Sequence, residues 1–237
     1  MNSKPLIISV EGNIGSGKST FVRKASDYFK SHEIYFLQEP VNIWETIKNE
    51  IGENIIECFY RDQEKYAFSF QMMAYISRLS LLRNAVAKGY KYIFTERCVN
   101  TDKNVFAKML YDAGKIEQIN FEIYNKWFNE FISEFDNFHY IYIKTDPIIA
   151  LERVNKRARN GETIPLEYLQ ECNKYHNNWL DNVNAESIIV LDGNVERDEE
   201  NNYNDWLSVI AKLIDYKNTN KPTNNSTMEE ILEISAR

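Results

Sequence analysis

The sequence predicts an α/β protein built on a doubly wound, five-stranded parallel sheet. Three observations carry that reading. Five short runs rich in β-branched and aromatic residues recur along the chain, near-continuously apolar, as strands covered on both faces are. Long helical patterns separate them, and strands alternating with helices imply parallel pairing through right-handed crossovers. Finally, the first run leads straight into a glycine-rich loop that opens a helix, Gly12-Asn13-Ile14-Gly15-Ser16-Gly17-Lys18-Ser19, with Thr20 following.

The elements follow in order. Residues 6–10 form the first strand. The loop after it has the form G-x-x-x-x-G-K-[ST] and holds three of the chain's 8 glycines. Backbone N–H groups of such a loop cradle polyphosphate, Lys18 reaches the terminal phosphates and Ser19 can hold Mg²⁺. Strand before and helix after (residues 21–29) set it apart from an ordinary Gly-rich turn, so the chain is expected to bind a nucleoside triphosphate. Residues 34–37 give the second strand. A long helix over 64–88 carries Phe68, Tyr75, Leu79, Leu82 and Val86 on one side. The third strand, 92–95, precedes a helix over 116–135 with Ile116, Ile119, Ile123, Trp127, Phe131 and Phe135 in a stripe read as core or helix–helix packing. The fourth strand is 140–144. Pro147 and Pro165 each open a helix, Pro being favoured in the first turn. Between them, residues 153–164 are polar and basic and read as a mobile lid. The fifth strand is 187–191. Residues 217–227 are too polar to order themselves, and Thr227 with Glu230 reads as a capping box for a last short helix. Residues 1–216 are thus one domain, and 217–237 a linker with an appended helix.

Composition narrows the function. Of 237 residues, 43% are apolar and 14% aromatic, enough for a sizeable core. The net charge of −7 argues against a nucleic-acid polymer as partner, since such binding draws on neutralised phosphates. The three cysteines, Cys58, Cys98 and Cys172, are too dispersed for a disulfide framework or thiolate metal site, and His32, His139 and His176 are equally scattered. No apolar run approaches the roughly 20 residues that span a bilayer, and the N-terminus lacks a signal-like stretch. A soluble, cytoplasmic protein with no membrane partner is expected.

Ligands of open α/β sheets sit at the carboxyl ends of the strands. Those ends carry the phosphate loop, then Glu39-Pro40 with Trp44, then Glu96-Arg97, then Asp146 with Arg153, Arg157 and Arg159 downstream, then Asp192-Gly193-Asn194. Phosphoryl transfer is mostly positioning and charge neutralisation, plus one group to take the acceptor hydroxyl's proton. Glu39 can be that base, Glu96 can join Ser19 around Mg²⁺, and Arg97 can hold the base or the moving phosphoryl group. Arg153 and Arg157 share a helix face with Arg159 just beyond, as a lid over a triphosphate needs.

These residues resemble the deoxyribonucleoside kinase family. The matching segments are Glu11-Gly-Asn-Ile-Gly-Ser-Gly-Lys-Ser19, Glu39-Pro-Val-Asn-Ile-Trp44, Phe70-Gln71, Glu96-Arg97, Arg157-Ala-Arg159 and Ile164-Pro-Leu-Glu-Tyr-Leu169, extended by Tyr175-His-Asn-Asn-Trp179 and Val190-Leu-Asp192. The resemblance spans roughly residues 5–215. It implies a P-loop kinase fold with strand order 2-3-1-4-5. It also implies transfer of the ATP γ-phosphate, with Mg²⁺, to a deoxynucleoside 5′-hydroxyl, and a homodimer formed through the two long helices. By the same resemblance Glu39 is the base beside Arg97, and Lys18 is catalytic. Asp192 and Asn194 join the ATP-binding residues. Gln71 reads the base edge, and Trp44, Phe70 and Phe106 sandwich the base; Phe59, at a position where relatives vary, is expected to narrow the pocket. Tyr60 and Glu162 grip the 3′-hydroxyl; counting from Arg159 selects Glu162, whereas counting back from Pro165 selects Gly161. Arg78 and Asp102 match an Arg and an Asp of the deoxycytidine and deoxyguanosine kinases, positions that are small or apolar in thymidine-accepting relatives. Deoxycytidine or purine deoxynucleosides are therefore expected over thymidine. Cys98 replaces the family's usual Ser; bordering the site, it reads as a small buried residue in preference to a reactive thiol. The rival readings are a deoxynucleoside monophosphate kinase, poorly matched by Glu39-Pro40 and Phe70-Gln71, and a non-catalytic family member, poorly matched by the intact Lys18, Ser19, Glu39 and Arg97.

Overall fold

The computed structural model describes residues 4–158, 163–196 and 203–219. Strand β1 (Leu6–Glu11) enters the phosphate loop and helix α1 (Lys18–Tyr28). Strand β2 (Ile34–Leu37) is followed by α2 (Val41–Trp44), α3 (Ile55–Arg61) and the long α4 (Gln63–Ala87). After β3 (Tyr92–Glu96) come α5 (Val99–Thr101), a π-helical segment (Asp102–Ala107) and α6 (Lys108–Asp112) without a break, then α7 (Gln118–Ile132). Strand β4 (Phe138–Lys144), α8 (Pro147–Arg157), α9 (Leu166–Leu180), β5 (Ile188–Asp192) and α10 (Asn204–Thr219) complete the described chain.

All four ladders are parallel, in the order β2-β3-β1-β4-β5. This is the doubly wound sheet and strand order expected. Because side chains alternate along a strand, Ile8 and Val10 of β1 face α1 and α10, packing with Phe21, Phe94, Ile141 and Ile210. Ile7 points the other way, to Tyr75, Leu79 and Leu82 of α4 and Tyr124 and Phe128 of α7. Each such side chain contributes roughly 1.5–3 kcal/mol on burial. The central strands are buried on both faces, which explains their near-continuous apolar runs, whereas the edge strand β5 leaves Val190 exposed.

Helix starts follow local chemistry. Asp146 caps α8, its Oδ1 accepting from Ile148 N at 2.8 Å, with Pro147 in the first turn. Pro165 is the residue before α9 rather than its first. Helix α3 opens on a capping box in which Asn54 Oδ1 accepts from Glu57 N at 3.0 Å and Glu57 Oε2 accepts from Asn54 N at 2.8 Å.

Several expectations need correction. Ile119, Ile123 and Trp127 are exposed, and α7 buries Tyr124 and Phe128 instead. Apolar residues lie on two sides of this helix, so periodicity alone has two solutions. Residues 153–157 of the expected lid are helical, as the last turns of α8. Helix α10 runs into the first three residues of the polar tract, which were read as linker. The capping box at Thr227 and Glu230 and its helix lie outside the described residues. Among the described residues no helix is long and apolar enough to cross a membrane.

Candidate active site

The phosphate loop is shaped by its neighbours. Gly12 has φ 145°, and a Cβ there would sit 2.6 Å from the Ile143 carbonyl oxygen of β4; at Gly15, φ 82°, it would sit 2.3 Å from that of Ala150 in α8. Only glycine lets the loop thread between β4 and α8. Asn13 faces away from the opening, donating through Nδ2 to Leu169 O at 2.8 Å and accepting from Ile14 N at 2.9 Å. The loop therefore delivers Lys18 and Ser19 at the start of α1, where free backbone N–H groups favour anions. Lys18 Nζ donates to Asn13 O at 2.6 Å. Burial, reinforced by Arg97, pulls its ammonium down to about 7 against the opposing pull of Glu96, Glu39 and Glu11. Ser19 Oγ donates to Glu96 Oε1 at 2.6 Å, bringing a hydroxyl and a carboxylate together beside the loop.

Across the opening, Glu39 lies two residues past the end of β2. Its Oε1 accepts from Arg97 Nη1 at 2.8 Å and Arg78 Nη2 at 3.3 Å. Burial alone would raise the Glu39 carboxyl, but Arg97, Arg78 and Lys18 together hold it down at about 2. It is ionised throughout the working range. Arg97 turns at the end of β3 with φ 59°, uncommon for a residue with a Cβ, and its Nη2 also donates to Gly12 O at 3.3 Å. Arg78 is a three-way brace: Nε to Asp102 Oδ2 at 3.0 Å, Nη1 to Glu96 O at 2.8 Å, and Nη2 to Glu39. Burial would lower this guanidinium's affinity for its proton; Asp102 and Glu39 more than restore it.

A cavity of about 590 Å³ joins these groups to an aromatic slot. Helix α4 lines it with Phe70, Gln71, Ala74 and Arg78, a single face at helical spacing. Trp44 stands edge-on to Phe70 with centroids 5.4 Å apart, its Nε1 donating to Ser77 Oγ at 2.9 Å. Phe59 packs on Phe70 at 4.9 Å, and Phe106 lies beneath the Arg97 guanidinium at 5.0 Å. Gln71 is 3% exposed and its Oε1 has no hydrogen-bond partner among the described residues. A buried, unpaired amide oxygen facing a cavity calls for a ligand donor.

The cavity gathers most of the residues predicted from sequence. Ile14, Gly15, Gly17, Lys18, Ser19 and Thr20 line its phosphate end, with Arg153 and Arg157 from α8. Glu39, Trp44, Phe59, Tyr60, Phe70, Gln71, Arg78, Glu96, Arg97, Asp102 and Phe106 line the rest. Gly12, Asn13 and Ser16 shape the loop from behind without lining the cavity. Asp192 and Asn194 do not join them. They border a separate shallow depression, where Asn194 Oδ1 accepts from Asp146 N at 2.7 Å and Asp192 Oδ1 accepts from Asn194 N at 2.9 Å. Arg153 links the two regions by donating to Gly193 O at 2.8 Å. Arg159 and Glu162 lie outside the described residues. Cys98 is 1% exposed, and burial pushes its thiol well above the ordinary range; this disfavours the reactive thiolate. Ile56, Ala74, Lys156 and Tyr168 also line the cavity and were not singled out. The helical repeat from Gln71 points to Ala74, whereas Ile56 carried no signal in the sequence.

The family model described as "Deoxynucleoside kinase" matches residues 8–215. A probable deoxycytidine kinase of Fowlpox virus is 33% identical over 216 residues, covering 88% of this chain and 87% of the relative. The mitochondrial deoxyguanosine kinase of Xenopus laevis is 32% identical, with 82% and 83% covered. The deoxycytidine kinase of Homo sapiens is 30% identical, with 87% and 90% covered. The match runs from within β1 into α10 and so takes in every cavity-lining element; the chain belongs to the deoxynucleoside kinase family.

Proposed function

We propose that this protein transfers the γ-phosphate of ATP to the 5′-hydroxyl of a deoxynucleoside. One observation carries the reading: the Glu39 carboxylate faces the phosphate loop across a cavity with an aromatic slot on one side. Oε1 is occupied by two guanidiniums, and Oε2 has no partner among the described residues. The base would enter between Trp44, Phe70 and Phe106, its edge read by the Gln71 amide. Tyr60, with Glu162, would hold the 3′-hydroxyl, leaving the 5′-hydroxyl beside Glu39. A carboxylate held near 2 is a weak base, so the proton moves to Glu39 late, after the bond to the leaving phosphate has loosened. Lys18, Arg97 and the lid guanidiniums Arg153, Arg157 and Arg159 would take up the charge on the phosphates. The oxygen-only pair Ser19 and Glu96 fits Mg²⁺, which would neutralise phosphate charge when bound there.

The Arg78–Asp102 ion pair at the base end supports deoxycytidine or purine deoxynucleosides over thymidine. It would crowd a 5-methyl group and supply polar partners to amino or oxo substituents. The relatives named as deoxycytidine and deoxyguanosine kinases support the same ranking. Exposed Ile76 on α4 and Ile119, Ile123 and Trp127 on α7 support a homodimer joined through these helices. Light scattering that finds only monomer at micromolar concentration contradicts it. The proposed organisation is a cytoplasmic kinase domain over 1–216, its lid within 153–164, followed by an appended segment. Offering ATP with a deoxynucleoside or its monophosphate tests the reaction: phosphate accepted only by monophosphates overturns the nucleoside kinase reading.

A further inference from the structure

The strand-end carboxylates Glu39 and Glu96 have roles in the mechanism, but the most deeply buried one does not. Glu11, the last residue of β1, is 0% exposed. No salt bridge reaches it among the described residues. Its three partners are neutral donors: Ser9 Oγ at 2.5 Å, Thr101 Oγ1 at 2.7 Å and Cys98 Sγ at 3.4 Å. Lys18 and Arg97 feel its charge from a distance, but a buried carboxylate with no cation in contact is expensive. For mere packing between β1 and α5, a neutral side chain would serve at lower cost.

The surroundings indicate what the acid holds. Thr101 Oγ1, while donating to Glu11, accepts from Cys98 N at 3.2 Å. Glu11 and Thr101 thus close a knot around the residue that follows Arg97. Arg97 is the one residue of this turn with positive φ, 59°. It is pinned on its other side by Arg97 N to Val10 O at 3.0 Å and Thr95 Oγ1 to Arg97 O at 2.9 Å. A backbone held in a sparsely populated region persists only when its surroundings over-determine it. Beyond the knot, the next residue is Asp102, and Phe106 lies one π-helical turn on. Glu11 also directly precedes Gly12, whose carbonyl takes the second guanidinium nitrogen of Arg97.

We propose that Glu11 is a positioning residue for phosphoryl transfer: through Thr101 and Cys98 it locks the Arg97 turn and the start of the helix carrying Asp102 and Phe106 onto the strand that feeds the phosphate loop. Base slot, Glu39 clamp and phosphate cradle then share one anchor. The inference rests on the kinase reading for its kinetic arm only.

The test uses Glu11→Gln, Thr101→Val, Thr101→Ser and the Glu11→Gln/Thr101→Val double variant. Glu11→Gln and Thr101→Val are each expected to lower kcat about tenfold or more while both KM values change less than about threefold, because misaimed groups cost rate before affinity. Thr101→Ser, which keeps the hydroxyl, retains kcat within about twofold, and the double variant loses no more than either single one. Amide exchange in Glu11→Gln accelerates over residues 97–107 while the β1–β4 ladder stays protected. Normal kcat per folded molecule in Thr101→Val, losses that multiply in the double variant, or unchanged exchange over 97–107 overturns the proposal. If the wild-type protein phosphorylates no deoxynucleoside, the kinase reading fails, and the exchange arm still decides whether Glu11 holds this turn.

Discussion

Replacing Glu39 by Gln preserves side-chain size and removes the charge that Arg97 and Arg78 share. Burial pushes this carboxyl up, yet Arg97, Arg78 and Lys18 bring it down to about 2 from an ordinary 4.5. That displacement corresponds to about 3 kcal/mol in favour of the ionised form. Since the folded-state value lies below the ordinary one, the stabilisation is present above about pH 4.5 and is lost as pH falls through 2. At neutral pH the variant should therefore melt roughly 6–12 °C lower, a domain of this size shifting about 2–4 °C per kcal/mol. The gap between variant and wild type should narrow as pH falls below about 4. Catalysis suffers separately: losing the proton acceptor should lower kcat about 10²–10⁴-fold. Nucleoside affinity, set by the aromatic slot and Gln71, should change less than about fivefold. Steady-state kinetics with a coupled ADP assay, calorimetric titration of the nucleoside and thermal melts between pH 3 and 8 read all three. Turnover within tenfold of wild type in a folded variant would remove Glu39 from the base role.

Three further outcomes follow from the same geometry. Among the four common deoxynucleosides thymidine should show the lowest kcat/KM, and a thymidine preference in a four-substrate comparison contradicts the role given to Arg78 and Asp102. Burial, with help from Arg97, holds Lys18 near 7, below its ordinary 10.5, so bound phosphate should pull the value back up. Between about pH 7 and 10 nucleotide binding should then take up as much as about one proton. Calorimetry at pH 8 in two buffers of different ionisation enthalpy measures this, and equal enthalpies contradict it. In Gly15→Ala the new Cβ would lie 2.3 Å from Ala150 O at φ 82°. A loss of about 2–4 kcal/mol in stability with abolished ATP binding is expected, and a wild-type melt contradicts it.

Much of this was legible because strand ends and loop motifs are local in sequence. The five strands, their flanking helices and the phosphate loop each carry a pattern of their own, and Glu39, Glu96 and Arg97 stand where those patterns stop. The aromatic slot became readable only through resemblance, since Trp44, Phe70 and Phe106 come from three separate elements. Helix α7 defeated periodicity because it is aromatic on two sides, and only the fold decides that Tyr124 is buried and Trp127 exposed. Asp192 and Asn194 sit at a strand end as expected, yet their side chains close turns with Asn194 N and Asp146 N. Glu11 entered the sequence reading only as the first residue of a matching segment, with no role of its own. Its partners Cys98 and Thr101 are some ninety positions away, and no spacing rule could join them.

The most direct test is the identity of the product formed from ATP, Mg²⁺ and deoxycytidine. A phosphomonoester in the ³¹P spectrum, coupled to the 5′ protons and formed in step with ADP, is the expected result. Absence of that signal with all four deoxynucleosides, while deoxynucleoside monophosphates become diphosphates, would contradict a carboxylate poised over a sugar hydroxyl.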